Sequence, residues 1–267
     1  MESIRDVVIA RRTTRAEPTQ TGGTDMATVA EIAEDIFRIN VEIPGSPVSY
    51  SFFVIRDEQP TLVETGFAAT FGDTVEAVRQ IVDPTTLRHV VIPHLEGDES
   101  GALNRFLQAA PGAEAVVSPI GMLTHPDYAI RPPRPVEDGA TLELGRHRLR
   151  FLTTPYVHQW DSMLAFDETT RTLFSSDLFI EGGSGPALAD GDLTDAMLGL
   201  YTATGFFPSR AHLDLALDKI EALRPATLAC HHGSVKGDRV DAYIRAMREL
   251  EVACVDWNPL EMMAEPA

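Results

Sequence analysis

Two cysteines, Cys230 and Cys254, are too few in 267 residues for a disulfide framework, and they lack the close pairing of a zinc knuckle. Both read as buried thiols. Basic residues are scarce as well, with 22 Lys and Arg against 40 Asp and Glu and a formal net charge of −18. Such a balance disfavours binding to phosphate backbones or anionic lipid, so no nucleic acid and no membrane is expected as a partner. No apolar run approaches the roughly 18 residues of a membrane span, and the first residues lack the apolar core of a secretory signal. A cytoplasmic protein is the expectation. Sequence repeats of solenoid type and low-complexity blocks are also absent.

Against these absences stands a 44% apolar content, ample for a layered core. Residues 1–26, with Arg11, Arg12 and Arg15 ahead of a Thr- and Gly-containing stretch, show no sustained periodicity and read as a flexible tail. The remainder, 27–267, reads as one domain. Short β-prone runs at Ile36 to Val41, Tyr50 to Ile55 and Thr61 to Val63 predict an antiparallel meander. A helix is predicted over Thr70 to Val82, a buried strand over His89 to Ile92, and a helix near Ala102 to Ala109 after a polar loop. The second half repeats this order. Strands are predicted near Thr141 to Leu144, Arg148 to Leu152, Met163 to Phe166 and Thr172 to Phe174, with helices near Asp192 to Ala203 and His212 to Leu223. A strand at Thr227 to Cys230 and a helix near Arg239 to Leu250 follow. Two rounds of strands and then helices predict two sheets face to face with helices outside, an αββα sandwich of the α/β class.

The chemistry concentrates at strand ends. In the segment from Pro93 to Gly101, His94, Glu96 and Asp98 alternate, and an extended chain would turn all three to one side. A pocket so rich in carboxylate needs a cation to offset the repulsion. Three further apolar strands end the same way, with His158 after Phe151 to Val157, Asp177 after Leu173 to Ser176, and His232 after Thr227 to Cys230.

Several stretches together resemble the di-iron branch of the metallo-β-lactamase superfamily, the flavodiiron proteins and their shorter oxygen-binding relatives. VIPHLEGDESGAL (Val91 to Leu103) is similar to the branch's HxExDHSGAL loop, HQWDSM (His158 to Met163) to HWPDSM, LFSSD (Leu173 to Asp177) to LFSND, and Cys230-His231-His232-Gly233 to an SHG ending. Val63-Glu64-Thr65-Gly66 is similar to the superfamily's DTG turn, with Glu in place of Asp. The resemblance implies that His94, Glu96 and His158 hold one metal, that Asp177 bridges, and that Asp98 and His232 hold the second. Glu99 stands where the family usually has a histidine, so it either ligates as a carboxylate or leaves a position open. His231 is assigned a structural or supporting role.

The resemblance further implies two iron ions rather than zinc, because Glu96 stands where hydrolytic members carry histidine, and carboxylate-rich sites with open positions suit iron. Dioxygen or nitric oxide is the implied ligand. A bridging Asp177 would set the metals roughly 3.5–4 Å apart. The sequence offers no phosphate loop or dinucleotide glycine motif, so no flavin is expected in this chain. Electrons are then expected from an external flavoprotein or a rubredoxin-like donor, and homodimerisation is the family-based expectation. Tyr156, two residues before His158, is a candidate hydrogen-bond donor to bound oxygen and the one candidate catalytic side chain. The glycine-containing stretch from Phe179 to Asp192 reads as a mobile loop over the metals. Two readings compete with a di-iron oxidoreductase: a zinc-dependent hydrolase of esters, lactones or thioesters, and a nonenzymatic oxygen sensor.

Overall fold

The computed structural model describes residues 27–124 and 127–252. The predicted tail, Cys254 and His125 lie outside the described residues.

A seven-stranded sheet runs in the order β1 (Ala27–Ala33), β2 (Ile36–Val41), β3 (Tyr50–Ile55), β4 (Thr61–Val63), β5 (His89–Val91), β6 (Glu114–Val117) and β7 (Arg134–Pro135). The first four strands pair antiparallel, as the meander predicts, and β4 through β7 pair in parallel. Helices α1 (Phe71–Arg79), α2 (Gly97–Ser100), α3 (Leu103–Ala109) and α4 (Pro119–Thr124) are interleaved with these strands. The second sheet has five strands, β8 (Thr141–Glu143), β9 (Arg148–Thr153), β10 (Met163–Asp167), β11 (Thr172–Ser176) and β12 (Thr227–Cys230), in the order β12-β11-β10-β9-β8. Its helices are α5 (Thr194–Thr204), α6 (Arg210–Leu223) and α7 (Val240–Glu249). Among the described residues no helix is long and apolar enough to cross a membrane.

Alternation along each strand explains the layering. On β3, Phe53 and Ile55 enter the cluster between the sheets, whereas Tyr50, Phe52 and Val54 pack under the helices outside. On β10, Met163 and Ala165 face the other sheet while Leu164 and Phe166 face α5, α6 and α7. Both faces of both sheets are therefore buried, and three apolar layers result. This is the αββα sandwich expected.

Some elements differ from expectation. β1 lies in Ala27–Ala33, where alternation is masked by Thr28 and Glu31, and it pairs along the whole of β2. β6 is a four-residue apolar run in a parallel position, too short for periodicity to identify. The loop after β5 does not stay extended: α2 forms at Gly97–Ser100, with the Ser100 and Gly101 amides donating to the Glu96 and Gly97 carbonyls at 3.0 and 3.1 Å. His94 and Glu96 thus lie in the bent, irregular chain between β5 and α2, and Asp98 reaches the same region through a helical turn.

The stretch from Phe179 to Asp192 is stitched in over much of its length rather than hanging as a free loop. Phe179 and Ile180 are buried in the core beneath the helices. The Gly183 amide donates to the Pro47 carbonyl at 2.7 Å and the Ser49 amide to the Gly183 carbonyl at 3.1 Å. The Ala189 amide donates to the Val235 carbonyl at 2.8 Å, and the buried Arg38 guanidinium donates to the Pro186 carbonyl at 3.1 Å. The glycines serve close approach here: a Cβ on Gly185 would fall on the Ser234 hydroxyl.

Candidate metal centre

The loops after β5, β9, β11 and β12 meet at one edge of the sandwich. Their side chains form two groups of potential ligands, His94, Glu96, His158 and Asp177 in one, and Asp98, His231 and His232 in the other. Within each group the donor atoms all lie within 4.8 Å of one another. His158 Nε2 is 3.0 Å from Asp177 Oδ2 and 3.3 Å from Glu96 Oε2, and His94 Nε2 is 3.4 Å from the same Glu96 oxygen. The other oxygen of Asp177, Oδ1, faces His232 Nε2 at 3.5 Å. The two carboxylate oxygens of Asp177 therefore address the two groups separately, which is the geometry of a bridge.

Glu99 is buried with both carboxylate oxygens unpartnered, and its Oε1 lies 3.3 Å from His94 Nε2. With Glu96 and Asp98 it forms a third, all-carboxylate grouping. Asp177 Oδ1 and His231 Nε2 are also buried without a hydrogen-bond partner. Unpartnered polar atoms of both kinds, oxygens and an imidazole nitrogen, aimed at one small volume are costly unless a cation is present to satisfy them. The donor set fits a dinuclear metal centre.

The electrostatics agree. Burial alone would push Asp177 up, but the hydrogen bond from His158 and the neighbouring His232 and His94 hold its carboxyl far below the usual range. Hydrogen bonds from His158 and His94 do the same to Glu96. Burial opposes a charge on His158, yet Asp177 and Glu96 outweigh it and raise the imidazole to about 9. Glu99 goes the other way: burial, then the Asp177 and Asp98 charges, push it well above the carboxylate range. Burial also raises Glu64.

Backbone contacts fix the two adjacent histidines of the β12 loop. His232 Nδ1 lies 2.8 Å from the Ser49 carbonyl. His231 Nδ1 lies 2.9 Å from the Ser51 carbonyl and 2.7 Å from Glu64 Oε2. Tyr50 packs edge-on against His232 and Phe52 tilts against His231, with ring centroids 5.3 and 5.7 Å apart. The loop itself is clamped by a buried polar network. Lys236 Nζ donates to Glu181 Oε2 at 2.5 Å and to the Ser234 carbonyl at 3.0 Å, while the Ser234 amide donates to Glu181 Oε1 at 2.6 Å. Arg38 donates to the Gly233 carbonyl at 2.6 Å. Gly233, at φ +78°, is required between them, since a Cβ there would fall on the Glu181 carboxylate.

Asp161, in the turn after His158, accepts from the Leu95 amide at 3.0 Å and so ties the loop of His158 to that of His94. Tyr156 is 38% exposed and its ring packs edge-on against His212, at a centroid distance of 4.9 Å. The ring that faces His158 is Phe206, at 4.1 Å, with Phe207 buried behind it against Tyr201. Sequence reasoning missed the Glu64–His231 pair, the Phe206 contact and the Lys236 clamp. The first was signalled by two departures from the pattern, Glu64 for Asp and His231 for Ser, which concern side chains that touch each other.

The family profile described as "ODP family beta lactamase" matches residues 48–233. Among curated proteins, the putative diflavin flavoprotein A 1 of Thermosynechococcus vestitus is 30% identical over 207 residues, covering 75% of this chain and 36% of that protein. The rubredoxin-oxygen oxidoreductase of Megalodesulfovibrio gigas is 31% identical over 134 residues, covering 49% of this chain and 33% of that protein. The chain thus spans about a third of the length of these two relatives. Among solved structures, the flavodiiron protein from Giardia intestinalis superposes with a TM-score of 0.73 at 20% identity, over 88% of this chain and 59% of that one.

Proposed function

Since the chain belongs to the ODP beta lactamase family and has the metallo-β-lactamase fold of flavodiiron cores, we propose that it is a di-iron oxidoreductase acting on dioxygen or nitric oxide. The observation that carries this reading is the donor set: Glu96, a carboxylate, lies in the first group, and the two oxygens of Asp177 face separate groups. Hard oxygen donors mixed with imidazole suit iron, and histidine- or cysteine-rich sites suit zinc.

In this reading His94, Glu96 and His158 would hold the first iron, Asp98 and His232 the second, and Asp177 would serve both. An iron pair held there would supply electrons to dioxygen or nitric oxide. The protein's own part is positioning and charge control. Carbonyls of Ser49 and Ser51 orient the two β12-loop imidazoles, and Asp161 fixes the loop carrying His94 and Glu96. Glu99, buried with both carboxylate oxygens unpartnered and Oε1 3.3 Å from His94 Nε2, is placed to ligate as a carboxylate beside the first group. Phe206 shields His158 from solvent. Tyr156, packed on His212, is left at the rim with no assigned step. Electrons come from a flavin- or rubredoxin-type donor.

Elemental analysis of protein expressed with iron and zinc both available tests the reading, alongside Glu96→His. Near two irons per chain in the wild type, shifting toward zinc in the variant, is the expected result. Two zincs in the wild type would sink it in favour of hydrolysis.

A further inference from the structure

Resting on the dinuclear reading above, we propose that His231 is a ligand of the second metal through Nε2, alongside His232 and Asp98, with Glu64 as the carboxylate that orients it. A peptide carbonyl can only accept a hydrogen bond, so the nitrogen facing it must carry the proton. His231 Nδ1 faces the Ser51 carbonyl and the Glu64 carboxylate, which makes it the protonated nitrogen and leaves the Nε2 lone pair for a metal. His232 is arranged alike, with Nδ1 on the Ser49 carbonyl. An imidazole whose far nitrogen donates to a carboxylate or carbonyl is the usual posture of a metal-ligating histidine.

The lone pair of His231 points where a ligand should. Nε2 is 3.8 Å from Asp98 Oδ2, close to the 3.6 Å between His232 Nε2 and the same oxygen. Donors roughly 2.0–2.2 Å from one ion stand about 3–4.4 Å apart, so these separations frame a single cation. His231 is fully buried, and its Nε2 has no hydrogen-bond partner. A merely structural histidine at that burial would cost stability for an unmet donor or acceptor. Glu99, meanwhile, turns its Oε1 to within 3.3 Å of His94 in the first group, so the second group draws its nitrogen donors from adjacent positions on one loop.

Glu64 and His231, two of the side chains that depart from the superfamily pattern, thus form one device. The carboxylate fixes the tautomer and makes the imidazole a stronger donor, which favours the ferric state of the metal it holds.

The test uses full-length protein loaded anaerobically with ferrous iron. Competition with a calibrated chelator gives the affinity of each site, and proton NMR reads hyperfine-shifted histidine ring protons. His231→Gln is expected to keep one tightly bound iron, to weaken the second by about 10–100-fold, and to lose one shifted ring proton. Glu64→Gln, which retains an acceptor oxygen, is expected to weaken the second iron less. His147→Gln, altering a buried histidine held by Asp167 at the opposite end of β9, controls for loss of a buried imidazole. Two irons bound by His231→Gln with unchanged affinities and an unchanged shifted spectrum would overturn the assignment while leaving the dinuclear reading intact. A wild type that binds no metal pair would overturn both. The wild-type spectrum supplies a reading even if a variant fails to fold, because a shifted proton assigned to His231 requires its ring at the metal.

Discussion

At the residue scale, the site is a balance of protons against metal. His158 and His231 are each raised to about 9, His158 by Asp177 and Glu96 against burial, His231 by Glu64 against burial. An imidazole raised above its unfolded value near 6.5 contributes stability in full below that pH and loses it as pH climbs through the folded value. Glu99, raised by burial, has the same sign. Glu96 and Asp177 are depressed, so their contribution is present above the ordinary carboxylate range and is lost as pH falls below it. Chelated protein should therefore weaken from pH 6.5 to 9. Loaded protein should not, because the cation replaces those protons. Denaturant titrations of both forms from pH 5 to 9 check this, and a chelated form that gains stability toward pH 9 would contradict it.

At the element scale, the loop between β12 and α7 is held by a buried ion pair as well as by Val235 in the core between the sheets. Lys236 is fully buried and bonded to Glu181, and removing one member of such a pair leaves the other uncompensated. Lys236→Met is expected to destabilise by about 3–5 kcal/mol, with Lys236→Met/Glu181→Gln recovering part of the loss in a double-mutant cycle. An additive double variant would show that the pair is not coupled. Little of this clamp could be read from sequence, because Arg38, Glu181 and Lys236 are 55 or more positions apart in each pairing with a distant segment and carry no local pattern. The strands were another matter. β2, β3, β4 and β12 run over the predicted residues, since β-branched and aromatic residues bounded by turn residues leave little choice of register. β1 was obscured because it is an edge strand, half-buried, with polar residues breaking the apolar run. The helical turn at Gly97–Ser100 was hidden for another reason: its conformation is set by the Thr65 amide donating to the Glu99 carbonyl at 2.6 Å, a contact across the sheet edge.

At the scale of the whole molecule, each ligand group draws on both sheets. His94 and Glu96 follow β5 of the first sheet, while His158 and Asp177 follow β9 and β11 of the second. Asp98 joins His231 and His232 in the same way. Bound metal therefore ties the sheets together at one edge, and unfolding must release it. Stripping the metal is expected to lower the melting temperature, with a stabilisation of about 2.7 kcal/mol recovered when free metal reaches 100 times its Kd. Scanning calorimetry at graded free iron checks this, and a transition independent of metal would count against the tie. Chain order also sets an order in time. A chain leaving the ribosome has presented all four donors of the first group once Asp177 emerges, and β10 is already available to pair with β11. The second group waits for His231 and His232, on the far side of α5 and α6. In the dinuclear reading, a nascent chain would complete the donors of the first site before those of the second exist, so the centre would be built one ion at a time.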